Sequence, residues 1–179
     1  MTTRVLMLRA INVGTRRISM PELRELLVAS GVEDVRTYLQ SGNVVVSSDA
    51  PPSELASWSR EVISQRFGFD VPVIVRTPQE LEAVTRRDPF AGVATEPKRY
   101  FVSFLDRPLS EAGFERLQGL VRGEEQVTAD GCEIYVWLPD GVARSKLATA
   151  MAAPEREVTA TARNWKTVTA LLSMASGAE

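Results

Sequence analysis

The stretch Arg9-Ala10-Ile11-Asn12-Val13-Gly14-Thr15-Arg16-Arg17 follows a short apolar run and precedes a Ser-Met-Pro-Glu helix start. A loop that leads from a strand into a helix N-terminus presents backbone N–H groups and the positive end of the helix dipole. Arginines add forked donors suited to phosphate or carboxylate. Arg9, Asn12, Gly14, Arg16 and Arg17 are therefore candidate anion ligands. The competing reading is a surface loop whose arginines pair with acidic neighbours. The segment has no Walker lysine and no GxGxxG spacing, so it matches no named phosphate loop.

Two further clusters bear on the same chemistry. Gln40-Ser41-Gly42-Asn43 has the composition of a hairpin turn, and Ser41 and Asn43 are polar groups that topology brings to the end of the sheet that carries the arginine loop. Near the C-terminus, Arg144-Ser145-Lys146 and Arg163-Asn164-Trp165 read as two helix starts with cations in place of the expected carboxylates. Each cation there costs roughly 0.3–1 kcal/mol through the dipole. A local rule broken with no gain in stability points to a use, so Ser145, Lys146, Arg163, Asn164 and Trp165 form a second candidate group for an anion. Against this, Glu155 and Glu157 are available to complete these ends internally, and Trp165 reads more simply as a packing residue.

Nothing in the chain reaches a catalytic constellation. Histidine is absent, which excludes Ser-His-Asp and Cys-His mechanisms and any His-containing metal site. The single cysteine, Cys132, alternates with Ile134 and Val136 and reads as a core thiol. Ser145 and Lys146 are adjacent on a helix and do not face each other as a dyad would. No cofactor is evident and no metal is expected.

The elements that must position these groups follow from periodicity. Residues 4–11 read as a buried strand, and Ser19-Met20-Pro21-Glu22 caps a helix that carries Leu23, Leu26 and Leu27. Strands over 35–40 and 43–48 meet through Ser41-Gly42. Pro51-Pro52 opens a helix with Leu55, Trp58, Val62, Ile63 and Phe67 inward, and a strand over 71–76 sits at a sheet edge because of Pro72. This β-α-β-β-α-β order is that of a ferredoxin-like unit. Thr77-Pro78-Gln79-Glu80 caps a short helix. The order then repeats: strand 99–105, a helix from Ser110, a hairpin of 125–129 and 132–138 across Asp130-Gly131, a short helix over 144–152, and a strand within 156–162. The expected class is α+β, with a first unit over 1–85, a linker over 86–98, a second unit over 99–162, and a C-terminal helix over 163–179.

The strings LRAINVG, YLQSGNVV, Asp88-Pro89-Phe90, RYFVSFL, GVARSK and TARNWKTVTALL together resemble the bacterial family called domain of unknown function 1697. The likeness runs over nearly the whole chain. It implies two ferredoxin-like subdomains and, the family being uncharacterised, does not supply an activity. The family pattern has a second glycine where this chain has Thr15, and a left-handed residue there would be strained.

The 179 residues carry 21 basic and 23 acidic side chains, a net charge of −2, so generic electrostatic attraction to nucleic acid is not expected. An RNA-recognition topology would place Phe101, Tyr135 and Trp137 on an exposed sheet face to stack bases, but its second signature strand is absent. The single cysteine fits a reducing compartment, and the N-terminal apolar run is too short for a signal peptide or a membrane span. The expectation is a cytoplasmic bacterial protein that binds an anionic small molecule, a nucleotide or phosphorylated metabolite, and has no membrane partner. An RNA-binding module and a protein–protein adaptor are the alternatives.

Overall fold

A computed structural model describes residues 1–177. The chain divides into two compact units, residues 1–82 with 171–177 and residues 83–170.

In unit 1, β1 (Thr2–Leu8), β2 (Glu33–Tyr38), β3 (Asn43–Ser48) and β4 (Val73–Arg76) form an antiparallel sheet in the order β2-β3-β1-β4. α1 (Met20–Ala29) joins β1 to β2, and α2 (Pro52–Phe67) joins β3 to β4. This is the ferredoxin-like arrangement. Alternation decides which side chains enter the core: Leu6 and Leu8, Val44 and Val46, and Val73 and Val75 meet Leu23 and Leu27 of α1 and Leu55 and Ile63 of α2. β4 is an edge strand, in keeping with Pro72 just before it, and the Pro72 carbonyl accepts from Arg9 N at 2.9 Å, one pair beyond Leu8–Val73.

α1 begins as its sequence dictates. Ser19 is the cap, its hydroxyl accepts from Glu22 N at 3.3 Å, and Pro21 lies in the first turn. α3 (Pro78–Arg87) starts with a reciprocal capping box, in which Thr77 Oγ1 accepts from Glu80 N at 3.1 Å and Glu80 Oε2 accepts from Thr77 N at 2.7 Å. This helix runs to Arg87, past residue 86 where the linker was expected to begin, and Phe90 just after it is buried.

Unit 2 repeats the plan. β5 (Tyr100–Leu105), α4 (Glu111–Gln118), β6 (Gln126–Asp130), β7 (Glu133–Trp137), α5 (Lys146–Met151) and β8 (Ala160–Asn164) give an antiparallel sheet in the order β6-β7-β5-β8. Its helix-side core gathers Leu105, Ile134, Val136 and Leu138 with Leu117, Leu147 and Met151. The hairpin loop is Gly131-Cys132, one residue later than expected, because Asp130 still pairs with Glu133. Cys132 therefore lies in the turn, half-buried against this core. α6 (Trp165–Ser176) closes the chain.

Two expectations about side-chain placement require correction. α6 starts at Trp165, and Arg163 belongs to β8, where it is paired in register with Val102. The helix start is set by Asn164, whose Oδ1 accepts from Thr167 N at 2.9 Å. Phe101 does not share a face with Tyr135 and Trp137. It sits opposite Val136 and packs into the helix-side core, whereas Tyr135 and Trp137 stand opposite Val102 and Tyr100.

Candidate functional site

The β1–α1 loop is clamped from several sides. At its root, Leu8 N donates to Gly42 O at 2.8 Å. At its centre is Asn12. Its carboxamide nitrogen donates to Ile18 O at 2.9 Å and to Gln40 O at 2.7 Å, and its Oδ1 accepts from Ile18 N at 3.0 Å. Its own N–H donates to Arg16 O at 2.6 Å, which folds residues 12–16 into a tight loop. One side chain thus ties the arginine loop to itself and to the tip of the β2–β3 hairpin, the juxtaposition that the topology requires.

The hairpin meets this loop closely. A Cβ at Gly42 would lie 2.7 Å from Ile11 Cδ1 and 2.8 Å from Leu8 Cβ, and Gly42 has φ of +78°. Only glycine meets both demands. Asn43 is fully buried, and its Nδ2 donates to Tyr38 O at 2.9 Å and to Ser41 Oγ at 3.0 Å. Asn12, Ser41 and Asn43 therefore act on the loops themselves. They hold the scaffold from which the arginines project.

Ala10, Asn12 and Gly14 have φ of 52°, 56° and 59°. Left-handed residues therefore stand at every second position of this stretch, and the Asn12 and Arg16 N–H groups are spent within the loop, on Arg16 O and Val13 O. Thr15 is not among the positive-φ residues, so its departure from the family pattern brings no strain. Asparagine and glycine suit this conformation, whereas at Ala10 it is a local cost.

Arg16 and Arg17 are exposed on this support. Arg16 lies over the Phe69 ring, 5.9 Å from its centroid, and Arg17 Nη1 reaches Asn12 O at 3.5 Å. Two carboxylates occupy this part of the unit, and each is held by another arginine. Asp70 receives both Arg60 Nε and Nη2 at 2.6 Å, and Glu22 receives Arg66 Nη2 at 3.2 Å. The Arg60 hydrogen bonds hold the Asp70 carboxyl below its ordinary range, with Arg16 adding a smaller electrostatic effect in the same direction. Among the described residues, neither Arg16 nor Arg17 forms an ion pair. Arg9 is half-buried at the loop's root.

The second candidate group is arranged differently. The register places the end of β7, the start of β5 and the end of β8 at one end of the unit 2 sheet, with the Gly131-Cys132 turn at the other. Ser145 and Asn164 are there as helix caps, Ser145 Oγ accepting from Ala148 N at 3.0 Å. Lys146 is exposed. Trp165 stacks on Tyr100 with ring centroids 4.4 Å apart and planes 6° from parallel. Arg163 is buried, and its Nη1 donates to Thr161 Oγ1 at 2.8 Å and to Ala162 O at 2.9 Å. Burial pushes its guanidinium down to about 10, still charged at neutral pH.

A cleft of about 490 Å³ in unit 2 is lined by Arg99, Glu96, Glu124 and Trp137 among others. Sequence reasoning did not single it out as a site, because its lining comes from the starts of two strands, the end of a third and the turn before them. Among the described residues, no three Cys, Asp or Glu side chains gather as a metal site would require, and no helix is long and apolar enough to cross a membrane.

These features define an α+β protein of two ferredoxin-like units in tandem. Residues 1–135 match the family described as Protein of unknown function (DUF1697), and the chain belongs to that family. The conserved bacterial protein SP0830 from Streptococcus pneumoniae has a similar structure. The alignment covers 98% of this chain and 99% of that one, with 23% sequence identity and a TM-score of 0.78. At that identity the likeness speaks to the fold alone. No curated protein matches the chain.

Proposed function

We propose that this protein binds an anionic ligand, one carrying phosphate or carboxylate groups, at the end of unit 1 built from the β1–α1 loop. A nucleotide or a phosphorylated metabolite is the small-molecule form of this reading. The observation that carries it is the state of Arg16 and Arg17. They stand exposed and without ion pairs on a loop fixed by Asn12, while Glu22 and Asp70 are taken by Arg66 and Arg60. A rigid loop bearing unpaired guanidinium groups is prepared for an anion before one arrives. The unit 2 group supports the reading less, since Ser145 and Asn164 are engaged as caps and Arg163 is buried. The RNA reading loses its support, because Tyr135 is 1% and Trp137 6% exposed and Phe101 faces the opposite way.

The test is thermal unfolding against sulfate, phosphate, citrate, nucleotides and sugar phosphates. A ligand at a hundred times its dissociation constant adds about 2.7 kcal/mol, which for a chain of this size raises the midpoint by roughly 5–10 °C. The expected result is a shift with at least one of these anions that disappears in the Arg16→Ala/Arg17→Ala double variant. A shift that survives the double variant would place binding elsewhere, and no shift with any anion would remove the reading.

A further inference from the structure

The same end of unit 1 carries more than charge. Val13 is 67% exposed and Leu39 is 55% exposed. Each sits at a loop tip, beside Asn12 and Gln40 respectively, and those two neighbours are joined by the 2.7 Å hydrogen bond from Asn12 Nδ2 to Gln40 O. That bond joins the two loop tips at the end of unit 1 that also carries Arg16 and Arg17. Leu39 holds φ of +58°, a conformation in which asparagine or glycine would be less strained.

The occupant follows from matching all of these groups at once. Inorganic phosphate or a nucleotide phosphate would use the arginines and leave Val13 and Leu39 in water. A single-stranded nucleic acid stacks its bases on exposed aromatic rings, and the aromatic residue beside the hairpin tip, Tyr38, is half-buried at the end of β2. The Phe69 ring nearby is covered by Arg16. Protein interfaces combine an apolar centre with arginine and a polar rim, and charge complementarity fixes the partner's sign. We infer that the β1–α1 loop and the β2–β3 hairpin dock an acidic segment of a partner protein, with carboxylates against Arg16 and Arg17 and leucine-type side chains against Val13 and Leu39. This inference rests on the anion reading above and names its ligand as a peptide carboxylate.

The experiment uses the full chain and a fluorescein-labelled peptide of alternating Glu-Glu and Leu-Leu pairs, followed by anisotropy. A control peptide has every leucine replaced by serine, and phosphatidylglycerol vesicles, poly-uridine RNA and inorganic phosphate are measured in parallel. The variants are Arg16→Ala/Arg17→Ala and Val13→Ser/Leu39→Asn, the second chosen because asparagine tolerates the left-handed backbone. The expected result is binding of the leucine peptide that weakens about tenfold or more in Val13→Ser/Leu39→Asn, with the phosphate response unchanged, and that is lost in the arginine pair. Equal binding of both peptides, unchanged peptide affinity in Val13→Ser/Leu39→Asn, or no peptide binding below about 1 mM would overturn the inference and leave the anion reading standing. Vesicle or RNA binding that depends on Val13 and Leu39 more than the peptide does would overturn it in favour of that partner. If the arginine pair alters no anion's binding, the anion reading itself fails.

Discussion

Asn12 shows how a residue picked out for its chemistry can act through architecture. Its type and position drew attention as a ligand, and the structure gives its carboxamide three hydrogen bonds within the protein. Each such bond contributes about 0.5–1.5 kcal/mol, and Asn12 also occupies a left-handed position that alanine dislikes. Asn12→Ala is expected to cost about 3 kcal/mol and to free the arginine loop from the hairpin, measured as a lowered denaturation midpoint and faster amide exchange at residues 13–17. Asn12→Gly relieves the backbone cost alone and should fall between the two. If Asn12→Ala were as stable as the parent, the clamp would not hold the loop. Residue types near a turn announce polarity, but whether a polar side chain faces a ligand or its own backbone depends on the loop's path. That path is set by the left-handed φ values at residues 10 and 12, which no short-range pattern announced. Ser41 and Asn43 follow the same logic, with Asn43 wholly buried.

Elements were legible wherever a local rule dominated. The Ser19 cap, the Thr77–Glu80 capping box and the edge position of β4 all follow from side-chain chemistry within a few residues, and each stands where the sequence put it. The start of α6 was not legible to the residue, because Thr161 to Trp165 contains both strand-formers and helix-formers and the choice falls to pairing with β5. That pairing turns Arg163 into a buried strand residue and leaves Asn164 as the last strand residue and the cap of α6. The apparent clash of Arg163 with the helix dipole therefore does not arise. Asn164→Ala removes the bond to Thr167 N and is expected to cost about 1 kcal/mol. Asn164→Asp keeps an acceptor and adds a negative charge at the positive end of the dipole, so it should equal or exceed the parent in stability. Thermal unfolding of the two variants checks this, and equal losses in both would mean that the cap contributes little.

At the scale of the whole molecule, the duplicated β-α-β-β-α-β order was readable because each unit needs its own two-sided pattern of apolar strands and amphipathic helices. The unit boundaries fall within α3, after Glu82, and within α6, after Ala170. The chain has no histidine, and two of its tyrosines are shifted on the alkaline side. Burial pushes the Tyr135 hydroxyl above its ordinary value, with the Glu133 carboxylate adding to the shift, and burial does the same at Tyr100, with Asp88 adding to it. A tyrosine held neutral in the folded state gives stability that is fully present below its unfolded value of about 10 and is lost as pH rises toward the folded value, since the unfolded chain then binds fewer protons. Arg163 works in the opposite sense, because a base lowered by burial is relieved of its cost as pH rises past about 10. Comparing wild type with Tyr135→Phe removes that common contribution. The variant forfeits only a 3.5 Å contact from the hydroxyl to Val84 O, at the limit of hydrogen-bond length, so its midpoint at pH 7 should lie within a few degrees of wild type. Between pH 9 and pH 11 the wild-type midpoint should fall more steeply than that of Tyr135→Phe. Parallel alkaline falls in the two proteins would show that Tyr135 does not ionise on unfolding and that the alkaline limit is set elsewhere.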